Sequence, residues 1–211
     1  MRNRRANLAL GQIVLPEANE DNKRVFAYLC KTRGLNRKYV TDMIAKNRLY
    51  QDKSGNCVFV NPEATNGELK GTLTEFVFKG TLANSDTLAP ILISQLNNEQ
   101  ITEKVDFTGF NVVCTESVID GLSLLELMID FKIYGGANPN KLIIASLGGL
   151  KQLTLQAIKE RFNGAKVFLA IDNDQPADEF YSKHGQGLTR LQIPKKYGKD
   201  WNDVLKIYKQ R

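Results

Sequence analysis

The spacing of apolar residues changes character about halfway along the chain. Residues 1–19 show no clear period and read as a flexible basic arm. From Glu20 the pattern is helical, with Val25, Phe26, Leu29 and Cys30 at i, i+1, i+4 and i+5 on one amphipathic stripe. Gly34 is placed to end that helix, and Asn36 to cap a second one carrying Val40, Met43 and Ile44. Short β-like pieces follow at 57–60, 68–73 and 75–78, separated by the turn residues Ser54-Gly55-Asn56 and Thr65-Asn66-Gly67. The stretch 84–108 has no single reading: 91–93 suits a strand, and the polar run 97–106 suits a boundary.

From Phe110 the texture becomes alternating β and α. Strands are expected at 111–115, 141–145, 166–171 and 188–193, and helices at 119–131, 151–162 and, more briefly, 176–181. A Gly148-Gly149 turn follows the second of these strands. The last helix carries Trp201, Val204, Leu205 and Tyr208 at i, i+3, i+4 and i+7, which makes Trp201 a core residue rather than a stacking platform. Strands alternating with helices indicate a parallel sheet. The expected fold class is therefore α/β: a parallel sheet flanked by helices over 109–211, preceded by a small α+β lobe over 20–108.

Composition narrows the picture. Apolar residues make up 42% of the 211, as in an ordinary globular chain. The apolar runs 122–125 and 142–145 are far too short to span a bilayer, and the basic N-terminus lacks a signal-peptide core. No membrane partner is expected, and the cytoplasm is the expected location. Cys30, Cys57 and Cys114 stand far apart, without a CxxC pair, and His184 is the single histidine, so zinc is not expected. Cys30 and Cys114 fall in apolar segments and read as buried free thiols. The net charge of +6 permits an anionic partner. Basic residues are concentrated early, where Arg33 and Arg37 are placed to steer a nucleic-acid backbone.

The acidic residues of interest come late, in two clusters that each follow an apolar strand. Glu116 and Asp120 follow the first, and Asp172 and Asp174 follow the third. Open α/β sheets place ligand sites at the carboxyl ends of their strands. On extended chain Asp172 and Asp174 point the same way, and their like charges would repel without a cation nearby. Hard oxygens of this kind suit Mg²⁺ or Mn²⁺. Each acid also has a structural role open to it. Asp120 suits a helix N-terminus, Asp172 and Asp174 suit caps, and Asp200 suits the N-cap of the last helix with Asp203 at N3.

The order strand, Glu116-Ser117-Val118-Ile119-Asp120, helix, then Ser146-Leu147-Gly148-Gly149, then Asp172-Asn173-Asp174, resembles the Toprim domain, and most of all its primase branch. Ser117 stands where that branch has glycine. Lys199-Asp200-Trp201-Asn202 resembles the late K-D-x-D motif, with Asn202 where a second Asp would stand. Upstream, Tyr28-Leu29 with Thr32-Arg33-Gly34-Leu35 resembles a segment of the primase template-binding lobe. Leu69-Lys70-Gly71-Thr72 and Lys79-Gly80 add a likeness to plasmid- and transposon-borne Toprim proteins.

The resemblance implies metal-assisted phosphoryl chemistry. Asp120, Asp172, Asp174 and Asp200 would be metal ligands, and Glu116 a ligand or general acid/base. Lys70, Lys79 and Lys199 would hold a nucleotide's phosphates. The implied partners are single-stranded DNA or RNA, nucleotides, and replication or mobilisation proteins. The chain has no Cys/His set for a primase zinc module and no Walker A pattern. Primer synthesis for a mobile element is the first reading. A Toprim nuclease and a non-catalytic nucleic-acid-binding accessory stand beside it.

Overall fold

The computed structural model describes residues 12–73, 79–93 and 105–210. Two sheets organise the chain. The first is antiparallel and runs β1 (Leu49–Gln51), β2 (Cys57–Val60), β3 (Gly67–Lys70), β4 (Lys79–Thr81) in that order. The second has five strands: β5 (Ile91–Leu92), β6 (Asn111–Thr115), β7 (Leu142–Ser146), β8 (Lys166–Ala170) and β9 (Thr189–Arg190). Their spatial order is β5-β7-β6-β8-β9. Strands β6 to β9 are parallel, as the β-α alternation predicts, but β5 pairs antiparallel with β7. The sheet is thus mixed at one edge, and that edge strand comes from the stretch with no single sequence reading.

Side chains of β6 and β7 alternate between two buried faces, the mark of a sheet covered on both sides. Val113, Leu142 and Ile144 face one core, and Val112, Cys114, Ile143 and Ala145 the other. The first core also holds α3 (Val118–Ile129), α6 (Trp201–Lys209) and the early helices α1 (Lys23–Ala27) and α2 (Arg37–Ala45). Val25, Leu29, Val40 and Phe59 therefore pack into the same cluster as Leu122, Leu125 and Trp201. The second core holds α4 (Gln152–Arg161) and α5 (Gln175–His184). The adjacent strands β6 and β8 thus feed helices on opposite faces, which opens a crevice at their carboxyl ends.

Several elements differ from expectation. The first helix is short and passes into a π turn, Tyr28–Thr32, closed by Arg33 N–H donating to the Tyr28 carbonyl at 3.0 Å. Gly34 follows at φ +70°, the left-handed conformation expected of it. Strand β1 was not foreseen because its polar Gln51 breaks the apolar pattern. Gln51 is buried for another reason: its Oε1 accepts from the N–H groups of Arg24 and Val25, at 3.0 and 3.2 Å, and so caps α1. The expected strands 68–73 and 188–193 shorten to β3 and β9, while the brief helix at 176–181 lengthens to α5. The expected pieces at 75–78 and 1–11 lie outside the described residues. Cys57 and Cys114 are buried free thiols, but Cys30 is only half-buried. Among the described residues no helix is long and apolar enough to cross a membrane.

A candidate acidic site between the two sheets

Glu116 leaves the carboxyl end of β6 directly toward β8. Its Oε1 accepts from Asp172 N–H at 3.1 Å, across the β6–β8 crevice, and its carbonyl accepts from Gly149 N–H at 2.8 Å. Burial raises the Glu116 pKa, against the pull of the Asp172 N–H. Ser117 is the N-cap of α3; its hydroxyl accepts from Asp120 N–H at 3.3 Å and donates to Asp120 Oδ2 at 2.6 Å. A glycine there would offer no such cap, which accounts locally for the serine. Asp120 is buried, and burial followed by the nearby Asp200 and Glu116 charges pushes it up to about 7.

The two acids of Asp172-Asn173-Asp174 have different surroundings. Asp172 keeps a side chain only 15% exposed, and its Oδ1 is buried without a hydrogen-bond partner. Burial, then Asp120, Glu116 and Asp200, push it up to about 8. Asp174 is the N-cap of α5: Oδ1 accepts from Ala177 N–H at 3.0 Å, and Oδ2 pairs with Lys199 Nζ at 2.8 Å. Burial raises the Asp174 pKa, but Lys199 and the Ala177 N–H outweigh it and leave the carboxyl below its usual value. Lys199 Nζ also stands 3.8 Å from Asp172 Oδ2. Asp200 caps α6 by accepting from Asp203 N–H at 2.8 Å.

Asn202 explains itself in the fold. It is 1% exposed, and its Nδ2 donates to the Arg33 carbonyl at 2.7 Å and to Ser123 Oγ at 3.0 Å. Its Oδ1 lies 3.5 Å from an Arg33 guanidinium nitrogen, while Arg33 Nε donates to Tyr28 Oη at 2.8 Å. An aspartate would have no N–H for these partners. The π turn and Asn202 together hold Arg33 against the wall of the cleft.

That cleft, of ≈ 330 Å³, is lined by Glu116, Asp120, Asp172 and Asp200 on the acidic side and by Arg33, Lys70 and Lys79 on the basic side. Burial, then Arg33 and Lys79, lower the Lys70 pKa. Of the expected residues, Arg37 does not line the cleft; its guanidinium lies 5.4 Å from the Phe26 ring centre. Lys199 is engaged with the acids rather than set among the other lysines.

Glu68 was not singled out from sequence. It is half-buried, bonds to the Ser146 hydroxyl and accepts from Val118 N–H at 3.1 Å, so β3 is strapped to the start of α3. Thr81 on β4 bonds likewise to Lys151 and to the Gly148 carbonyl. The available signal was spacing: Glu68 and Lys70 share one face of β3, which is the cleft face.

Among the described residues no three Asp, Glu, Cys or His side chains are gathered tightly enough to clasp one ion as they stand. Their chemistry nonetheless suits a hard divalent cation. All are oxygen donors, and the unpaired Asp172 Oδ1 is buried; after burial itself, the charges of Asp120, Glu116 and Asp200 raise Asp172, and those of Asp200 and Glu116 raise Asp120.

Residues 113–205 match the Toprim-like family model, and residues 27–91 match the family described as "Protein of unknown function (DUF3991)". No curated protein matches the chain in sequence. Two solved structures from bacteriophage T7 share its fold. The primase fragment of the primase-helicase protein superposes with a TM-score of 0.56 at 17% identity, covering 85% of this chain and 69% of the other. The primase domain in a complex with the lagging-strand DNA polymerase, an RNA/DNA hybrid and dTTP gives 0.54 at 17% identity, with 85% of each chain covered. Residues 113–205, which hold the β6–β8 crevice and its acids, are a Toprim-like domain, in a chain of primase-like fold.

Proposed function

We propose that this chain is a primase-like nucleotidyltransferase that joins nucleotides into short primers on single-stranded DNA with the aid of a divalent cation. The observation that carries the reading is the division of one cleft into an acidic wall and a basic wall, Glu116, Asp120, Asp172 and Asp200 facing Arg33, Lys70 and Lys79. A site that joins nucleotides needs both, since cations bind the phosphates and carboxylates hold the metal. The primase domain of similar fold is bound to an RNA/DNA hybrid and dTTP, ligands that suit this pairing of walls. The likeness of its motifs to plasmid- and transposon-borne Toprim proteins adds a mobile genetic element as the setting.

Asp120, Asp172 and Asp200, with Glu116 beside them, would hold Mg²⁺ or Mn²⁺. When bound, the ion supplies charge neutralisation at the transferring phosphoryl group. Lys70 and Lys79 hold phosphate oxygens from the β3–β4 side. Arg33, fixed by Tyr28 and Asn202, offers its guanidinium to the nucleic-acid backbone. Glu116 has Oε1 engaged by the Asp172 N–H, so Oε2 takes the proton of the attacking hydroxyl. Burial, which raises its pKa, makes it a better base than an exposed glutamate.

The test is incubation with single-stranded DNA, labelled nucleoside triphosphates and Mg²⁺ or Mn²⁺. New labelled oligomers that vanish in Glu116→Gln and Asp172→Asn establish synthesis. Loss of the input DNA in the same tubes, without new oligomers, replaces synthesis by hydrolysis. DNA binding with neither product makes the chain an accessory protein.

A further inference from the structure

We infer that the site takes a single divalent ion, and that the Lys199 ammonium stands as its second cation. The inference rests on the metal-assisted reading above and concerns how many ions that site accepts. It follows from which carboxylate oxygens are already engaged. Asp174 has one oxygen on the N-terminus of α5, through Ala177 N–H at 3.0 Å, and the other on Lys199 Nζ at 2.8 Å. Asn202 is neutral, and its amide is fixed between the Arg33 carbonyl and Ser123 Oγ. Neither position is left to build a second metal cage with Asp172 and Asp200.

Asp172 is placed differently. Its Oδ1 is buried without a partner, and its Oδ2 stands 3.8 Å from the same ammonium. One ion, held by Asp172 with Asp120 and Asp200, would thus sit beside a tethered positive charge. A lysine suits that place because it is a compact point charge on a flexible stem, able to hold a carboxylate without taking up its other oxygen. Lys199 reaches Asp174 from the residue just before Asp200, the N-cap of α6, with a side chain 55% exposed. Its head can therefore be removed without opening a core cavity.

The experiment uses the full chain, stripped of metal with a chelator. Mn²⁺ is titrated by calorimetry, and the loaded samples are examined by electron paramagnetic resonance. The wild type should bind one Mn²⁺ and give an isolated-ion spectrum. Lys199→Met should bind two, with the exchange-broadened spectrum of a coupled pair, because Asp174 is released. The double variant Lys199→Met with Asp174→Asn should return to one. Two ions in the wild type, or one ion in Lys199→Met, overturns the inference while leaving the metal-assisted reading intact. No Mn²⁺ bound by any of the three removes that reading and this inference together.

Discussion

Asn202→Asp, which would complete the K-D-x-D pattern that Lys199-Asp200-Trp201-Asn202 resembles, should destabilise the protein rather than improve its site. Asn202 is 1% exposed and donates two hydrogen bonds, to the Arg33 carbonyl at 2.7 Å and to Ser123 Oγ at 3.0 Å. A carboxylate has no donor, so both bonds are lost, at about 1 kcal/mol each. Its oxygen would also face the Arg33 carbonyl oxygen, and a buried carboxylate adds several kcal/mol of desolvation cost, offset in part by the Arg33 guanidinium. The sum is about 3–5 kcal/mol at pH 8, a large share of the stability of an ordinary domain. It corresponds to a melting temperature lower by roughly 10 °C for a chain of this size. Urea and thermal unfolding at pH 5 and pH 8 test it. Burial holds the new carboxyl's folded pKa above its unfolded one. The deficit should therefore be smaller at pH 5, where the protonated group can donate one bond, and grow as pH rises through the folded value. A variant within about 1 kcal/mol of wild type at pH 8 would refute this account of Asn202.

Three further outcomes are expected. In chelator, stability should fall as pH rises from about 4 to 8. Asp172 is pushed up to about 8, so its favourable contribution is complete below the unfolded value near 3.8 and is lost on deprotonation in the fold. The slope is at most about 1.4 kcal/mol per pH unit for each such group, and a flat urea-denaturation profile over that range contradicts it. Millimolar Mg²⁺ or Mn²⁺ should raise the melting temperature by several degrees, since an ion at 100-fold over its Kd adds about 2.7 kcal/mol; Asp172→Asn should abolish the rise, and a persistent rise in that variant would relocate the site. Glu68→Ala should cost about 2–4 kcal/mol, because it leaves Val118 N–H and the Ser146 hydroxyl without their partner; Glu68→Gln, which keeps an acceptor, should cost about 1 kcal/mol, and equal losses in urea denaturation would deny the strap.

The amino-acid sequence by itself determined the β-α alternation from Phe110 and the position of Glu116 and Asp172 just past apolar strands. These are local matters: a period of two or of 3.6 is written in neighbouring residues, and the carboxyl end of a strand is known once the strand is known. Asp174 and Asp200 were readable as caps for the same reason, and they are caps. Strand β1 was not readable: with three residues it has too little pattern, and it persists because β2 pairs with it. Strand β5 was readable only as one candidate at 91–93, and it persists because β7 pairs with it.

Only the tertiary structure separated Asp172 from Asp174. Their spacing makes them equivalent, yet one ends beside buried carboxylates and the other between a helix N-terminus and Lys199. Only it brought Glu68 to Ser146 and Asn202 to Arg33, groups 78 and 169 residues apart. Such pairings depend on how two sheets and one shared core close around a cleft. A carboxylate's role there is set by which donors and charges reach it, and most of those come from elements remote in the chain.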